Sequence, residues 1–283
     1  MRTNDRHQLI MLLGNPVAHS LSPGMHNAHF RHLGINADYF AMECEKDRLD
    51  ALLETLRNPL FAGANVTKPY KNLVVSMLDE VDEGAARIGA VNTIVSRNGK
   101  LIGYNTDGPG FVDDLRREIE PKKILILGVG GAGSAVGLFL SMAGSVVDYY
   151  DIKTERAIAC ADQSAQYAPS RALDTLDPSS YPLIVNATGL GMYGALEETP
   201  LAKERMNPET FYIDLTYAPS KTRFLKDAES IGARIKNGLG MVIEQGALAF
   251  EHWTGLTADR AFMRAYMEEK YAMKEKRSRG KER

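Results

Sequence analysis

The sequence predicts an α/β fold in two domains, the first of them built on a mixed, mostly parallel sheet. Two observations lead to this prediction. Short apolar segments of strand length alternate with amphipathic helical patterns through most of the chain, which is typical of parallel sheets covered by helices. The 283 residues also exceed the length of an ordinary single domain and allow two cores to form.

The first hundred residues supply the mixed sheet. The predicted strands are QLIMLL (8–13), ADYFAM (37–42), AGANVT (62–67) and AVNTIVS (90–96), and helical patterns occupy 47–57 and 70–81. Asn98 and Gly99 then form a hairpin turn before KLIGYNTD (100–107), so one strand pair should be antiparallel.

A second α/β series follows a connecting helix that Pro109 and Gly110 open. Its predicted strands are ILILG (124–128), SVVDYYD (145–151), PLIVNAT (182–188), FYIDLT (211–216) and ARIKN (233–237), and its clearest helices are 132–143 and 221–231. Two closing helical patterns, 241–253 and 259–273, are expected to pack back on the first domain. We therefore predict a first, substrate-binding domain of residues 1–107 and 239–283 and a second domain of residues 108–238.

The end of the chain combines a packing stripe with a charged tail. Met263, Met267 and Tyr271 recur at four-residue spacing, which predicts one buried helix face. The last ten residues, KEKRSRGKER, contain no apolar side chain and predict a solvated tail.

Composition excludes several classes of partner. The formal net charge is −2 and the charged fraction is 25%, so no global charge attracts nucleic acid or anionic membranes. No apolar run approaches the roughly 20 residues of a membrane span. Cys44 and Cys160 belong to no metal or disulfide pattern and fit a reducing compartment, so we expect a cytoplasmic protein. A homodimer is compatible with the sequence, which does not determine the oligomeric state.

Two serines stand one residue apart in the loop GNPVAHSLSPGMHN (14–27), between the first strand and the first helix. Ser22 precedes Pro23 and suits the N-cap position of that helix. Ser20 has no such role, and loops at the carboxyl ends of strands face the crevice where α/β proteins bind ligands. We expect Ser20 either to be a loop residue or to bind a substrate anion, with His19 beside it.

A glycine-rich turn predicts that the second domain binds a dinucleotide. Gly128, Gly130 and Gly133 form a GxGxxG between a strand and an apolar helix, with Gly131 and Ala132 inside it. The first glycine allows a tight turn, the second lets backbone amides approach a pyrophosphate, and the third permits close helix packing. This context predicts a Rossmann-type domain in preference to a merely tight turn.

Carboxylates at the next strand favour NAD. Asp148 and Asp151 lie 20 and 23 positions after Gly128, and Asp151 is the better placed to bind the ribose hydroxyls and repel a 2′-phosphate. Lys153 and Arg156 follow and are able to pair with such a phosphate, so NADP stays the alternative.

Polar residues also end the strands of the first domain. They occur in NVTKPYK (65–71), AVNT (90–93) and YNTDG (104–108), and each of Thr67, Lys71, Asn92 and Asp107 alone has an ordinary structural explanation in a turn or a cap.

Together with HSLSP, these segments resemble the shikimate dehydrogenase family, whose signatures are a Ser-x-Ser-Pro loop, NVT-x-P-x-K, a VNT segment and NTDG. The second half of the chain adds GVGGAG, NATGLGM (186–192), DLTYAPSKT (214–222) and GLGMVIEQGALAFEHWTG (238–255). The resemblance covers nearly the whole chain.

The resemblance implies a reversible oxidation of shikimate to 3-dehydroshikimate, a step of aromatic amino acid biosynthesis on the chorismate pathway, with quinate as an alternative substrate. By family roles, Ser20, Ser22 and Tyr217 bind the substrate carboxylate. The residues implied to surround the ring hydroxyls are Thr67, Lys71, Asn92, Asp107 and Gln245. Thr188 and Met241 are implied to lie near the nicotinamide. Lys71 and Asp107 are the implied catalytic pair, because oxidising an alcohol requires removal of its hydroxyl proton.

The chain departs from the family pattern at two places. Lys68 occupies a position of NVT-x-P that is often apolar. At the end of the second cofactor-domain strand, relatives that use NADP commonly carry Asn-Arg-Thr, whereas this chain has Asp151-Ile152-Lys153. The second departure agrees with the preference for NAD.

Other functions remain compatible with the sequence. His26, His29 and His32 recur at three-residue spacing, which drifts around a helix, and no carboxylate or cysteine accompanies them, so we expect no metal site. A dinucleotide-binding sensor without turnover would keep the fold, although it would not need a proton-transferring lysine. A dehydrogenase for a related cyclic hydroxy acid is a third hypothesis.

Overall fold

The computed structural model describes residues 7–18, 20–120, 122–192 and 194–279, with side chains described as far as Met273. His19, which we placed beside the serine loop, lies outside the described residues. The chain divides into two compact units, one of Met1–Thr106 with Ile243–Arg283 and the other of Asp107–Val242.

The first unit contains a mixed six-stranded sheet, as predicted. Its strands are β1 (Gln8–Gly14), β2 (Ala37–Glu43), β3 (Phe61–Val66), β4 (Glu80–Val81), β5 (Thr93–Arg97) and β6 (Lys100–Tyr104), in the order β2-β1-β3-β5-β6-β4. β1 pairs in parallel with β2 and β3, whereas β5 is antiparallel to both of its neighbours. The helices of this part of the chain are α1 (Ser22–His32), α2 (Leu49–Thr55) and α3 (Glu83–Ile88).

The second unit contains an all-parallel six-stranded sheet. Its strands are β7 (Lys123–Leu127), β8 (Val146–Tyr150), β9 (Ser170–Ala172), β10 (Leu183–Asn186), β11 (Phe211–Asp214) and β12 (Ile235–Lys236), in the order β12-β11-β10-β7-β8-β9. Its helices are α4 (Asp107–Arg116), α5 (Gly131–Met142), α6 (Thr154–Ser164) and α7 (Arg223–Ser230). The division between the units falls within α8 (Leu239–Thr254), and α9 (Arg260–Arg279) follows.

Alternate residues of the central strands explain why this sheet forms. Ile124 and Ile126 belong to the core on one face, and Leu125 and Leu127 belong to the core on the other. A strand that is buried on both faces needs a continuous apolar run rather than an alternating one, and KILIL supplies it.

The segment 70–81 differs from its prediction. Instead of a helix it forms turns, a short 3₁₀ helix at Val74–Met77 and strand β4. The amides of Asp79 and Asp82 donate to carbonyls of Leu101 and Gly103 at 3.1 and 2.8 Å, so pairing with β6 replaces helical hydrogen bonds. The helical prediction was wrong because that partner lies about twenty residues further along the chain.

The C-terminal helix confirms the predicted packing stripe. Met263 and Met267 are fully buried and Tyr271 is 8% exposed. The helix continues to Arg279, so the beginning of the predicted tail is helical, while the side chains beyond Met273 lie outside the described residues. Within the part of the chain that the structure describes, no helix is both long and apolar enough to cross a membrane.

Candidate active site

The serine loop lies between β1 and α1 and is held by backbone contacts. The hydroxyl oxygen of Ser20 accepts a 3.2 Å hydrogen bond from the amide of Ser22. Leu21 occupies the N-cap position and Ser22 is the first helical residue, so the prediction that Ser22 caps α1 was wrong. Ser20, the residue before the N-cap position, supplies the acceptor instead. Its side-chain oxygen binds the amide of Ser22, which is the first free amide of the helix.

The loop adjoins the end of β3. A Cβ atom added to Gly14 would lie 2.4 Å from Cγ2 of Thr67, and the amide of Asn15 donates to the carbonyl of Lys68 at 3.0 Å. The structure therefore brings the start of the serine loop, at Gly14 and Asn15, next to the half-buried Thr67 and to Lys68. Lys68 itself is exposed.

A buried polar network extends from this region across the sheet. The Oδ1 atom of Asn92 accepts from the amide of Thr106 at 2.7 Å, and its Nδ2 atom lies 3.0 Å from Oγ1 of Thr106 and 3.5 Å from Oε1 of Gln245. Asn92 is 3% exposed. The predicted Asn92 and Gln245 therefore meet in one cluster, although 153 positions separate them in the sequence.

The network has members that the sequence analysis did not single out. Nδ2 of Asn65 donates to the carbonyl of Asn92 and to Oγ1 of Thr93, both at 3.0 Å, and Oδ1 of Asn65 accepts from the Tyr39 hydroxyl at 2.8 Å. Burial raises the pKa of Tyr39, and a hydrogen bond with Ser22 opposes that rise. The available signal was a polar residue inside an apolar strand, which requires a buried partner.

Lys71 follows β3 in a turn beside this network. Its carbonyl accepts a 2.8 Å hydrogen bond from the amide of Val91, next to Asn92, and its side chain is half-buried. Asp107 is the first residue of α4 and is 7% exposed. Lys71 belongs to the first unit and Asp107 begins the second.

The glycine turn of the second unit has a packed side and an open side. Gly128 has φ +86°, and a Cβ atom added to it would lie 2.8 Å from the backbone of Thr188. A Cβ atom added to Gly133 would lie 2.1 Å from the carbonyl oxygen of Gly128. Gly130 and Gly131, in contrast, have no neighbouring atom within 4 Å of that position. The open glycines are the N-cap and first residue of α5, with Ala132 next, so the free amides of a twelve-residue helix face available space.

Asp151 follows β8 and is hydrogen-bonded to the glycine turn. Its Oδ2 atom accepts from the amide of Val129 at 2.6 Å and its Oδ1 atom accepts from the amide of Lys153 at 2.9 Å. Ile152, Lys153 and Arg156 are exposed. Asp148 is 2% exposed inside β8, where its Oδ2 accepts from Arg171 and from the Tyr181 hydroxyl, so it is unsuited to bind a ribose.

A second buried network supports the loops after β10 and β11. Oδ2 of Asp214 accepts from Nδ2 of Asn186 at 2.8 Å and from the Thr222 hydroxyl at 2.7 Å. Burial raises the pKa of Asp214, and these hydrogen bonds oppose the rise. Asn186 in turn accepts from the hydroxyl of Thr188 at 2.6 Å and so fixes that predicted residue. Burial also raises the pKa of Tyr217 on the neighbouring loop.

Met241 is placed in a core of the second unit. It is 8% exposed and packs in the cluster that includes Phe111, Leu115 and Ile213.

The histidines of α1 form part of an aromatic core. His26 and His29 are fully buried, and the His26 ring stacks on Tyr39 with centroids 4.6 Å apart. Both ring nitrogens of His26 are buried without a hydrogen-bond partner. Among the residues that the structure describes, no group of three or more His, Cys, Asp and Glu is arranged to hold a metal ion.

A parallel sheet whose first strand leads into an open glycine turn, with a carboxylate after the second strand, defines a dinucleotide-binding α/β protein. Comparisons with known proteins specify the family. The model of the shikimate dehydrogenase substrate-binding domain matches residues 12–94, and the model of the shikimate 5′-dehydrogenase C-terminal domain matches residues 238–267. A shikimate dehydrogenase (NADP(+)) of Geobacillus sp. (strain WCH70) is 44% identical over 266 residues, covering 89% of this chain and 94% of the relative. The chain belongs to the shikimate dehydrogenase family.

Solved structures agree with this assignment. The shikimate 5-dehydrogenase of Thermus thermophilus, in complex with NADP(H) and shikimate, matches with a TM-score of 0.86 at 39% identity, covering 93% of this chain and 99% of that one. The enzyme from Listeria monocytogenes, in complex with shikimate and NAD, matches with a TM-score of 0.86 at 32% identity, covering 94% of this chain and 98% of that one.

Proposed function

We propose that this protein catalyses the reversible oxidation of shikimate to 3-dehydroshikimate with a nicotinamide dinucleotide. The observation that carries the proposal is the buried network centred on Asn92, which fixes polar groups from three separate segments beside the turn that holds Lys71. A substrate rich in hydroxyl groups requires such a fixed set of donors and acceptors, because an unpaired buried polar group opposes binding.

The serine loop supplies the carboxylate end of the site. Ser20 uses its oxygen to accept from the Ser22 amide, which leaves its hydroxyl proton to be donated. We assign the substrate carboxylate to Ser20 and Ser22, with Tyr217 contributing its hydroxyl. Thr67, Asn92 and Gln245 are assigned to the ring hydroxyls. Fixing both ends of the ring holds one alcohol carbon in a single orientation.

The chemistry requires a proton acceptor. When bound, the dinucleotide accepts the hydride that leaves the alcohol carbon. The hydroxyl proton must leave in the same reaction, and we assign its acceptance to Nζ of Lys71 together with the carboxylate of Asp107. In the reverse direction the same groups return the proton to the carbonyl oxygen.

The residues of the second unit fit a dinucleotide. The space above Gly130 and Gly131 admits a pyrophosphate, and the amides at the start of α5 supply partial positive charge. Thr188 and Met241 are assigned to the nicotinamide end.

We further propose that NAD is preferred to NADP. Two backbone amides hold the Asp151 carboxylate in place, and a fixed carboxylate accepts ribose hydroxyls and repels a 2′-phosphate. Ile152 is 90% exposed at the position where NADP-using members of the family commonly carry arginine, and its side chain offers no charge to a phosphate. Exposed Lys153 and Arg156 are the groups that would support NADP instead.

The test combines four assays with a matched pair of variants. Shikimate and quinate are each assayed with NAD and NADP, following the absorbance of the reduced cofactor. The Lys71→Ala variant should lose nearly all turnover while keeping its cofactor affinity, and Lys68→Ala, which removes the exposed lysine three positions earlier, should keep both. Cofactor binding without turnover on any substrate would instead favour a sensor. Activity in Lys71→Ala would refute the catalytic assignment, and higher turnover with NADP would refute the preference for NAD.

A further inference from the structure

The residue before α8 and the first turn of α8 pack closely against other parts of the second unit, each at a glycine. A Cβ atom added to Gly238 would lie 2.0 Å from the carbonyl oxygen of Leu215. A Cβ atom added to Gly240 would lie 2.2 Å from both carboxylate oxygens of Asp114. The backbone of this turn is therefore fixed between the end of β11 and a side chain of α4, and only glycine permits these approaches.

Asp114 belongs to a buried charge network. It is 4% exposed, and its Oδ2 atom lies 2.9 Å from Nζ of Lys236 on β12. Lys236 and Arg234 also pair with Glu118, two residues beyond the end of α4. Burying a charged pair carries a large desolvation cost, and apolar residues of similar size commonly stabilise a fold equally well. Stability alone is therefore a weak explanation for this pair.

The position of Asp114 relates it to two residues of the proposed site. Asp107 lies seven residues earlier on α4, about two helical turns away and on the same face. Met241 directly follows Gly240, the residue that Asp114 contacts. The carboxylate of Asp114 thus links the helix that carries Asp107 to the backbone that carries Met241.

We infer that Asp114 is a positioning residue that fixes the helix of Asp107 relative to the Met241 segment. This inference rests on the proposed function, in which Asp107 takes part in proton transfer and Met241 lies at the nicotinamide. Shortening the side chain would allow the first turn of α8 to move toward α4. A shift of about 1 Å is enough to lower the rate of hydride transfer, even when no contact to the substrate is removed.

The experiment separates positioning from stability with three variants. Asp114→Ala removes the contact with Gly240 and leaves Lys236 with Glu118 as the remaining carboxylate beside it. Asp114→Ala/Lys236→Met also removes the lysine that faces Asp114 and should recover the melting temperature. Asp114→Asn keeps the shape of the side chain against Gly240. Glu118→Gln, a change in the more exposed part of the same network, is the control.

Both alanine variants should show kcat reduced about tenfold, a larger primary isotope effect with substrate deuterated at the oxidised carbon, and a cofactor dissociation constant within about twofold of wild type. Asp114→Asn should recover most of kcat, and Glu118→Gln should leave it unchanged. If Asp114→Ala does not fold, the kcat and the isotope effect of the double variant test the positioning role.

Two results would overturn the inference while the proposed function stands: wild-type kcat in Asp114→Ala, or recovery of kcat together with the melting temperature in the double variant. Absence of turnover in the wild-type protein would overturn the proposed function and this inference with it.

Discussion

The amide of Val129 donates a 2.6 Å hydrogen bond to Oδ2 of Asp151, which fixes the carboxylate after β8 against the glycine turn. One side chain therefore both orders the turn and presents negative charge where the ribose of a dinucleotide is expected. This relationship makes the preference between NAD and NADP testable at a single position.

Asp151→Asn should shift the cofactor preference toward NADP. The amide oxygen of asparagine can still accept from the Val129 amide of the glycine turn, although its NH2 group cannot replace the second acceptor used by the Lys153 amide, while the repulsion of a 2′-phosphate disappears. We expect the ratio of kcat/KM for NAD to that for NADP to fall about tenfold, which corresponds to roughly 1.4 kcal/mol. Asp148→Asn is the control: it disturbs a buried carboxylate of the same strand and should lower stability without changing the ratio. An unchanged ratio in Asp151→Asn would contradict the assignment of Asp151.

Alanine at Gly133 and at Gly130 should have opposite consequences. Gly133→Ala forces a Cβ atom against the Gly128 carbonyl, so the free energy of unfolding should fall by about 1–3 kcal/mol. Gly130 has φ −83° and ψ −172°, which alanine adopts, and the added methyl group meets no atom. Gly130→Ala should therefore keep its stability but raise the KM for the dinucleotide about tenfold, because the methyl group occupies the approach of the pyrophosphate. Urea unfolding measures the change in stability, and cofactor titration measures the change in dinucleotide binding. Equal losses of stability and of cofactor binding in both variants would refute the assignment of Gly133 to packing and Gly130 to the pyrophosphate.

Substitutions of Ser20 should separate helix capping from substrate binding. Ser20→Ala removes the acceptor for the Ser22 amide, at a cost of about 1 kcal/mol, and also removes the hydroxyl donor. Ser20→Asp keeps an acceptor for the amide but places negative charge beside the substrate carboxylate. We therefore expect Ser20→Asp to be the more stable variant and to have the higher KM for shikimate, with the KM for the dinucleotide unchanged in both. A lower KM for shikimate in the aspartate variant would exclude a carboxylate-binding role for Ser20.

The stability of the first unit should depend on pH through His26. Burial, with a smaller contribution from His29, lowers the pKa of His26 to about 3. In the unfolded chain this histidine is protonated below about pH 6.5. In the folded protein it stays neutral down to about pH 3. The stability present above about pH 6.5 is thus lost as the pH falls, by about 2 kcal/mol between pH 7 and pH 5, and the loss levels off near pH 3.

His26→Leu removes this pH dependence together with the unpartnered ring nitrogens, so its free energy of unfolding should fall less between pH 7 and pH 5. Urea denaturation at both pH values provides the measurement. His32→Gln, which changes a more exposed histidine of the same helix, should keep the wild-type dependence. An equal pH dependence in wild type and His26→Leu would show that His26 is not the responsible group.

Patterns that depend on neighbouring residues were predicted well. The apolar run KILIL and the glycine turn after it are local, and both have the predicted form. The helix predicted for 70–81 was wrong because Glu80 and Val81 pair with strand β6, at Ile102 and Gly103. The hydrophobic periodicity of a segment does not indicate a pairing partner about twenty residues away. Ser22 was misassigned as a cap for a more local reason, since Ser20 and Ser22 are chemically equal candidates and the loop conformation decides between them.

The sequence by itself determined the two α/β sheets, the dinucleotide turn and the family, because strand and helix periodicity, glycine requirements and ordered motifs are properties of contiguous residues. Only the tertiary structure decided which polar residues meet. Asn92 contacts Gln245 across 153 positions. The Asp148 carboxylate is hydrogen-bonded to Arg171 and Tyr181, whereas that of Asp151 is hydrogen-bonded to the glycine turn. Asp114 lies against Gly240. The physical reason is that the partner of a buried polar group is chosen by the packing of elements distant in sequence, and that packing exists only in the folded chain.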